Sequence, residues 1–227
     1  DTVFDVLIIC INLVFYFWDS TADQEESGWM NNYEETKRQK LIFDNILSDY
    51  NFKDKRVFDP GCGLGFFSAI CQNKGANVFA MDVGTNLIAK TREKSDSLCA
   101  VGSVLHIPFK DNFFDLIICT EVIEHTPDPM KSIPELHRVL KKGGLLVLTV
   151  PNKFWKFSEI VARKLKIRPY LGFENWVGYT DLKKQVIHSG FKIEKQFGFN
   201  LFPLFYKPFI PVLDFFDEFQ QNLSPTL

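Results

Sequence analysis

The chain has 227 residues, 46% of them hydrophobic and 24% charged, with a formal net charge of -2. That length suits one domain with appendages, and the balanced charge gives no reason to expect nucleic acid as a partner. The five cysteines, Cys10, Cys62, Cys71, Cys99 and Cys119, form no C-x-x-C pair, the pattern of reduced, buried thiols in a cytoplasmic protein.

Val3–Trp18 is almost wholly apolar, interrupted by Asp5 and Asn12. It lacks the basic flank and small-residue cleavage site of a signal peptide and is short of the roughly 20 residues that span a bilayer. It reads as a buried strand or an amphipathic surface segment, and its β-branched and aromatic content suits the strand. Asp19–Asn32 is polar, with Ser20, Thr21 and Asp23 as turn and cap material. The spacing of Leu41, Ile42, Ile46 and Leu47 predicts a helix over Glu34–Asp49. Trp29, Met30 and Tyr33 just ahead of it form either a lid or an apolar cap on the sheet.

Arg56–Phe58 reads as a strand that runs through Asp59 into Gly61, Gly63 and Gly65, a tight glycine turn opening a helix over Gly65–Lys74. Alternating glycines let the chain turn sharply and let a ligand approach bare backbone. The dinucleotide fingerprint G-x-G-x-x-G needs a glycine where Phe66 stands. Gly75 caps the helix, Asn77–Met81 is a second strand, and it ends on Asp82, an acid placed to accept hydrogen bonds from ribose hydroxyls. A helix follows over Thr85–Ser95, then a short strand and loop over Gly102–Phe109. Phe114–Cys119 is a continuous apolar run, as in a central parallel strand covered on both faces. Glu121–His125 leaves it for the breakers Pro127 and Pro129. Lys131–Leu140 is a helix stopped at Lys141–Gly144, and Leu145–Val150 a further buried strand. Tyr179–Ser189 and Phe191–Phe199 complete the alternation as helix and strand. The fold class implied is α/β, a doubly wound, mostly parallel sheet.

Five segments in order carry a resemblance: Asp59–Gly65 (D-P-G-C-G-L-G), Met81-Asp82, Pro108–Asp115, Glu121–His125 (E-V-I-E-H) and Leu140–Pro151. Together they resemble the class I S-adenosylmethionine (SAM)-dependent methyltransferases, in particular the ubiquinone and menaquinone biosynthesis group. The resemblance implies a Rossmann-like, seven-stranded sheet whose seventh strand has no obvious candidate after residue 200. The apolar N-terminal run is available to fill that seat or to pair at an edge. It divides a single domain into an N-terminal apolar segment and lid (1–40), a SAM-binding core (41–150), and an acceptor-side insertion with the sixth strand and a C-terminal amphipathic helix (151–227).

The resemblance also implies residue roles. Gly61, Cys62 and Gly63 would pack backbone against the methionine part of SAM, and Asp59 would hold its ammonium. Asp82 would take the ribose hydroxyls, Val83 would pack on adenine, and Ser103 and Val104 would meet the adenine edge, with serine departing from the family's usual aspartate. Cys119 and Thr120 would border the sulfonium. His125 is either the base that deprotonates the acceptor or a cap on the turn before Pro127. Glu121, Glu124 and His125 spell a set that some quinone-pathway and RNA-end methyltransferases use for a divalent metal, and also what a polar loop leaving a strand shows; no metal ligand is assigned. S-adenosylhomocysteine would be the product.

Lys153, Lys156, Arg163, Lys164, Lys166 and Arg168 alternate with aromatic and aliphatic residues, either an ordinary surface helix or a basic amphipathic helix for peripheral membrane contact. Phe173, Trp176 and Tyr179 would line an acceptor pocket. The expected activity is methyl transfer to a small-molecule or lipid-like acceptor at oxygen. The alternatives are carbon or nitrogen methylation, or a SAM-binding module with little catalysis. The expected location is cytoplasmic or membrane-associated.

Overall fold

A computed structural model describes residues 4–11, 29–151, 153, 156 and 174–199. The described residues form seven strands: β1 (Phe4–Ile11), β2 (Arg56–Pro60), β3 (Asn77–Asp82), β4 (Leu98–Val101), β5 (Phe114–Thr120), β6 (Leu140–Pro151) and β7 (Phe191–Phe199). The helices are α1 (Trp29–Lys40), continued by a π-helical turn over Leu41–Ile46, then α2 (Phe66–Asn73), α3 (Thr85–Lys94), α4 (Pro129–Val139) and α5 (Tyr179–His188). The strands form one sheet in the order β4-β3-β2-β5-β6-β1-β7, parallel throughout.

Alternation along the central strands sorts side chains into two apolar layers. Phe58, Ile117, Cys119, Leu146, Leu148 and Val150 face one way, onto Ile133 and Leu136 of α4 and Leu182 and Val186 of α5. Val57, Leu116, Ile118 and Val147 face the other, onto Leu41, Ile42 and Phe43 and onto Phe67 and Cys71 of α2. Burial on both faces is why these strands are continuous apolar runs in sequence. The first layer holds a phenylalanine cluster: Phe58 stacks on Phe114 at 4.6 Å between centroids, while Phe79, Phe109 and Phe113 meet them and one another mainly edge to face. Offset and edge-on contacts suit the ring quadrupoles.

β1 takes an interior seat, pairing Val6 with Leu146 of β6 and with Ile193 of β7. The N-terminal apolar run therefore supplies a sheet strand, and it does so parallel to both neighbours. A strand that follows β7 through a tight turn would enter the same seat antiparallel.

The structure corrects four boundaries. The strand expected within Gly102–Phe109 lies earlier, at Leu98–Val101; it is an edge strand with Leu98 and Val101 exposed, so it shows no buried run. Pro129 starts α4 instead of blocking it, since the first helical position needs no amide hydrogen and Asp128 is the cap residue. Lys141–Gly144 belongs to β6, which follows α4 directly. The helix expected over Glu34–Asp49 begins at Trp29 and ends in the π-turn. The expectations for Ser20–Asp23, for Arg163–Phe173 and for the C-terminal amphipathic helix fall outside the described residues, as do the side chains of Trp29, Met30 and Tyr33.

Candidate functional site

β2 and β5 are neighbours, but the chain leaves β2 towards β3 and β4 on one side and leaves β5 towards β6 on the other. Open parallel sheets bind ligands at such a reversal, outside the carboxyl ends of the strands. A cleft lies there. Its floor and one side come from Gly61, Met81, Asp82 and Val83, and its far end from Gly102, Ser103 and Val104. The opposite wall is the loop after β5, with Glu121, Val122, His125, Thr126 and Pro127.

The glycine turn is held from beneath. Gly61 and Cys62 donate their amides to the Met81 carbonyl at 2.6 and 3.1 Å. Thr91 of α3 donates its hydroxyl to the Gly63 carbonyl at 3.0 Å. Gly61, Gly63 and Gly65 all have positive φ, at 71°, 52° and 80°. A Cβ at Gly61 would sit 2.3 Å from Cγ2 of Val122 on the facing wall, so glycine is required by space as well as by conformation.

Asp82 ties the two loops together. Its Oδ2 accepts the Gly63 amide at 3.0 Å and its Oδ1 the Gly84 amide at 2.9 Å. Asp82 thereby stands at the carboxyl end of β3 on the floor of the cleft. Val83 beside it is 69% exposed, an apolar shelf on the cleft. Ser103 uses its hydroxyl oxygen to accept the Leu105 amide at 3.2 Å.

Asp59, Cys62, Gly63, Cys119 and Thr120 do not line the cleft. Asp59 is buried at the end of β2 and accepts the Ser68 hydroxyl at 2.6 Å; burial pushes its carboxyl up to about 7 despite that bond. Cys62 packs with Ala80 and Ile88 behind the turn. The Cys119 side chain lies in the first apolar layer, and Thr120 is buried beside it. Cys62, Cys71, Cys99 and Cys119 are free thiols, each pushed up chiefly by burial, so none is an activated nucleophile.

The loop after β5 concentrates charge. Glu121 has φ of 53°, unusual for a residue with a side chain. It is pinned by Thr149 of β6: the Glu121 amide donates to the Thr149 hydroxyl at 3.0 Å, and that hydroxyl donates to Glu121 Oε1 at 2.8 Å. Glu124 is 1% exposed, and its Oε2 has no hydrogen-bond partner; its Oε1 is 3.9 Å from Nε2 of His125. Burial raises both carboxyls, Glu124 further because Glu121 repels it, while the Arg38 charge pulls both down. Arg38 is paired with Glu35 of the same helix at 3.3 Å. Among the described residues, no group of three or more histidine, cysteine, aspartate or glutamate side chains is arranged to hold a metal ion.

The sequence reading therefore finds one cleft lined by Gly61, Asp82, Val83, Ser103, Val104 and His125, and misses Arg38, Glu35 and Thr149. Arg38 lies in a helix of mixed charge, and Thr149 in an apolar strand; neither position carries a motif.

A family profile described as a methyltransferase domain matches residues 58–148. The uncharacterized protein MJ0638 of Methanocaldococcus jannaschii is 38% identical over 132 residues, covering 56% of each chain. This chain thus spans little more than half the length of that relative. The ubiquinone biosynthesis O-methyltransferase of Colwellia psychrerythraea is 30% identical over 169 residues, covering 67% of this chain and 68% of that protein. The crystal structure of the PH0226 protein from Pyrococcus horikoshii has the same fold, with a TM-score of 0.58, 23% identity, and coverage of 76% of this chain and 90% of that one.

Proposed function

The chain belongs to the class I SAM-dependent methyltransferases, and from that premise we propose that it transfers a methyl group to the oxygen of a small-molecule or lipid-like acceptor. The observation that carries this reading is the cleft at the strand reversal, where a glycine turn that admits no Cβ against Val122 lies beside Asp82 and Val83. These residues fit the cofactor. The turn leaves room for the methionine part, the Asp82 carboxylate on the cleft floor would take the ribose hydroxyls, and the Val83 shelf with Ser103 and Val104 would take the base. Arg38 provides a cation for the cofactor's carboxylate, and Asp59, once ionised, an anion for its ammonium. Gly63 contributes backbone. Cys62, Cys119 and Thr120 shape the cleft from behind.

Bound SAM supplies a methyl group on a cationic sulfur. Passing that methyl to an acceptor oxygen would require the acceptor hydroxyl to give up its proton. His125 on the cleft wall accepts it as base, with the Glu124 carboxyl beside the ring. The walls hold acceptor and cofactor in line, and such alignment alone is worth up to about 7–11 kcal/mol of barrier.

The test has two parts. Calorimetry with S-adenosylhomocysteine should give saturable binding, and its absence would refute the cofactor assignment. Transfer of labelled methyl from SAM across phenols, quinone precursors, amines and lipid hydroxyls should favour the hydroxylated acceptors. Labelling only at amines or carbon would refute the oxygen assignment, and binding without turnover would favour a cofactor-binding module. Among the described residues no helix is long and apolar enough to cross a membrane.

A further inference from the structure

The cleft wall after β5 has little structure of its own. Between β5 and α4 it contains a single 3-10 turn, Ile123–His125, and it begins at Glu121 with its left-handed backbone. Within the loop the His125 amide donates to Val122 at 3.1 Å and the Thr126 amide and hydroxyl to Ile123 at 3.0 and 2.6 Å. Three of its other carbonyls, on Glu124, Thr126 and Pro127, accept from one residue outside it. The Asn175 amide donates to the Glu124 carbonyl at 2.7 Å, and its side-chain Nδ2 donates to the Thr126 and Pro127 carbonyls, both at 3.0 Å. Both hydrogens of the side-chain amide are then used on the wall.

Asn175 is itself firmly seated. Trp176 and Val177 after it are buried, Val177 within the first apolar layer, and the Trp176 indole donates to the Glu174 carboxylate at 2.7 Å. Gly178 then leads into α5, whose Leu182 and Val186 are wholly buried. The strap Glu174–Gly178 is therefore anchored in the core and reaches the cleft wall through one residue, by both its backbone amide and its side chain.

We infer that Asn175 is the positioning residue that fixes the wall carrying His125, Thr126 and Pro127. Through it the strap on the acceptor side and the cofactor cleft form one rigid unit. The inference rests on the reading that this cleft binds the SAM-derived nucleoside, and it assigns Asn175 no contact with ligand. Aspartate at this position has the same shape but no side-chain donor, and its carboxylate would face two carbonyl oxygens.

The experiment compares the unaltered chain, Asn175→Asp and Val186→Ala. S-adenosylhomocysteine affinity is measured by calorimetry, global stability by urea denaturation, and local opening by amide exchange at Ile123–Thr126. N175D should weaken binding at least tenfold and speed exchange at His125 and Thr126 more than at the amides of β5 and β6. V186A, which only opens the core, should lower stability and leave affinity within about twofold. Affinity of N175D within twofold of the unaltered chain, with unchanged loop exchange, would overturn the inference. So would equal losses of affinity in both variants. If the unaltered chain bound no S-adenosylhomocysteine, the cofactor reading would fall, and the exchange comparison would still decide whether Asn175 holds the wall.

Discussion

Gly61→Ala probes the cleft where backbone meets the opposite wall. The new Cβ would lie 2.3 Å from Cγ2, 2.9 Å from Cγ1 and 3.2 Å from Cβ of Val122. Overpacking of this kind costs about 1–3 kcal/mol, and holding a side chain at φ of +71° adds about 1–2 kcal/mol. A loss of about 2–5 kcal/mol is a large part of the roughly 5–15 kcal/mol that stabilises a typical domain. Urea denaturation reads this loss, and calorimetry with S-adenosylhomocysteine should show at least a tenfold drop in affinity, because Gly61 and Val122 both line the cleft. The two contributions separate in a double-mutant cycle. Val122→Ala removes both Cγ atoms, so the G61A/V122A variant should recover the overpacking cost and keep the backbone cost, a favourable coupling of about 1–3 kcal/mol. If the double variant loses the plain sum of the two single losses, Val122 is not the obstacle and the reasoning fails.

Asp82→Asn replaces one of two acceptors by a donor that must face a backbone amide. It should cost about 1–3 kcal/mol of stability and weaken S-adenosylhomocysteine binding, and unchanged values in denaturation and calorimetry would contradict the bridging role of this carboxylate. Asp59, raised to about 7, stays protonated in the native chain at pH values where the unfolded chain has ionised it. Its contribution should therefore make stability fall as pH rises from about 4 to 7 and level off above. If Asp59 takes up the cofactor's ammonium, binding at pH 6 should release a proton; calorimetry in buffers of different ionisation enthalpy would show it, and proton uptake would refute the pairing. Glu124 is raised in the same direction, so Glu124→Gln should gain stability relative to the unaltered chain as pH rises above about 4.5. A relative loss between pH 5 and pH 8 would show that the charged carboxylate has a partner.

The strands legible in sequence are those buried on both faces. Arg56–Pro60, Asn77–Asp82 and Phe114–Thr120 stand out because, past the exposed Arg56 and Asn77, most of their side chains are buried whichever way they point. Edge strand β4 is half-exposed and lacks that signature, so the sequence pattern points several residues too far along the chain. The glycine turn and Asp82 are legible because their chemistry is local: backbone conformation and a strand end. Arg38, Thr149 and Asn175 act across long sequence separations, through a charge, a hydroxyl and an amide that ordinary surface or core positions also carry. Periodicity reports which side of an element is buried, and it does not report which loop a distant side chain will reach.

The interior seat of β1 has a consequence for how the molecule assembles. Val6 must find Leu146 and Ile193, so the pairing closes very long loops, and such contacts are slow to form. As the ribosome extends the chain, β2, β3 and β5 can begin to associate while β1 still waits for both of its neighbours to emerge. During that interval an apolar strand with unpaired edges is open to other chains. Among the described strands, the first in the chain is thus the one that waits longest for its partners.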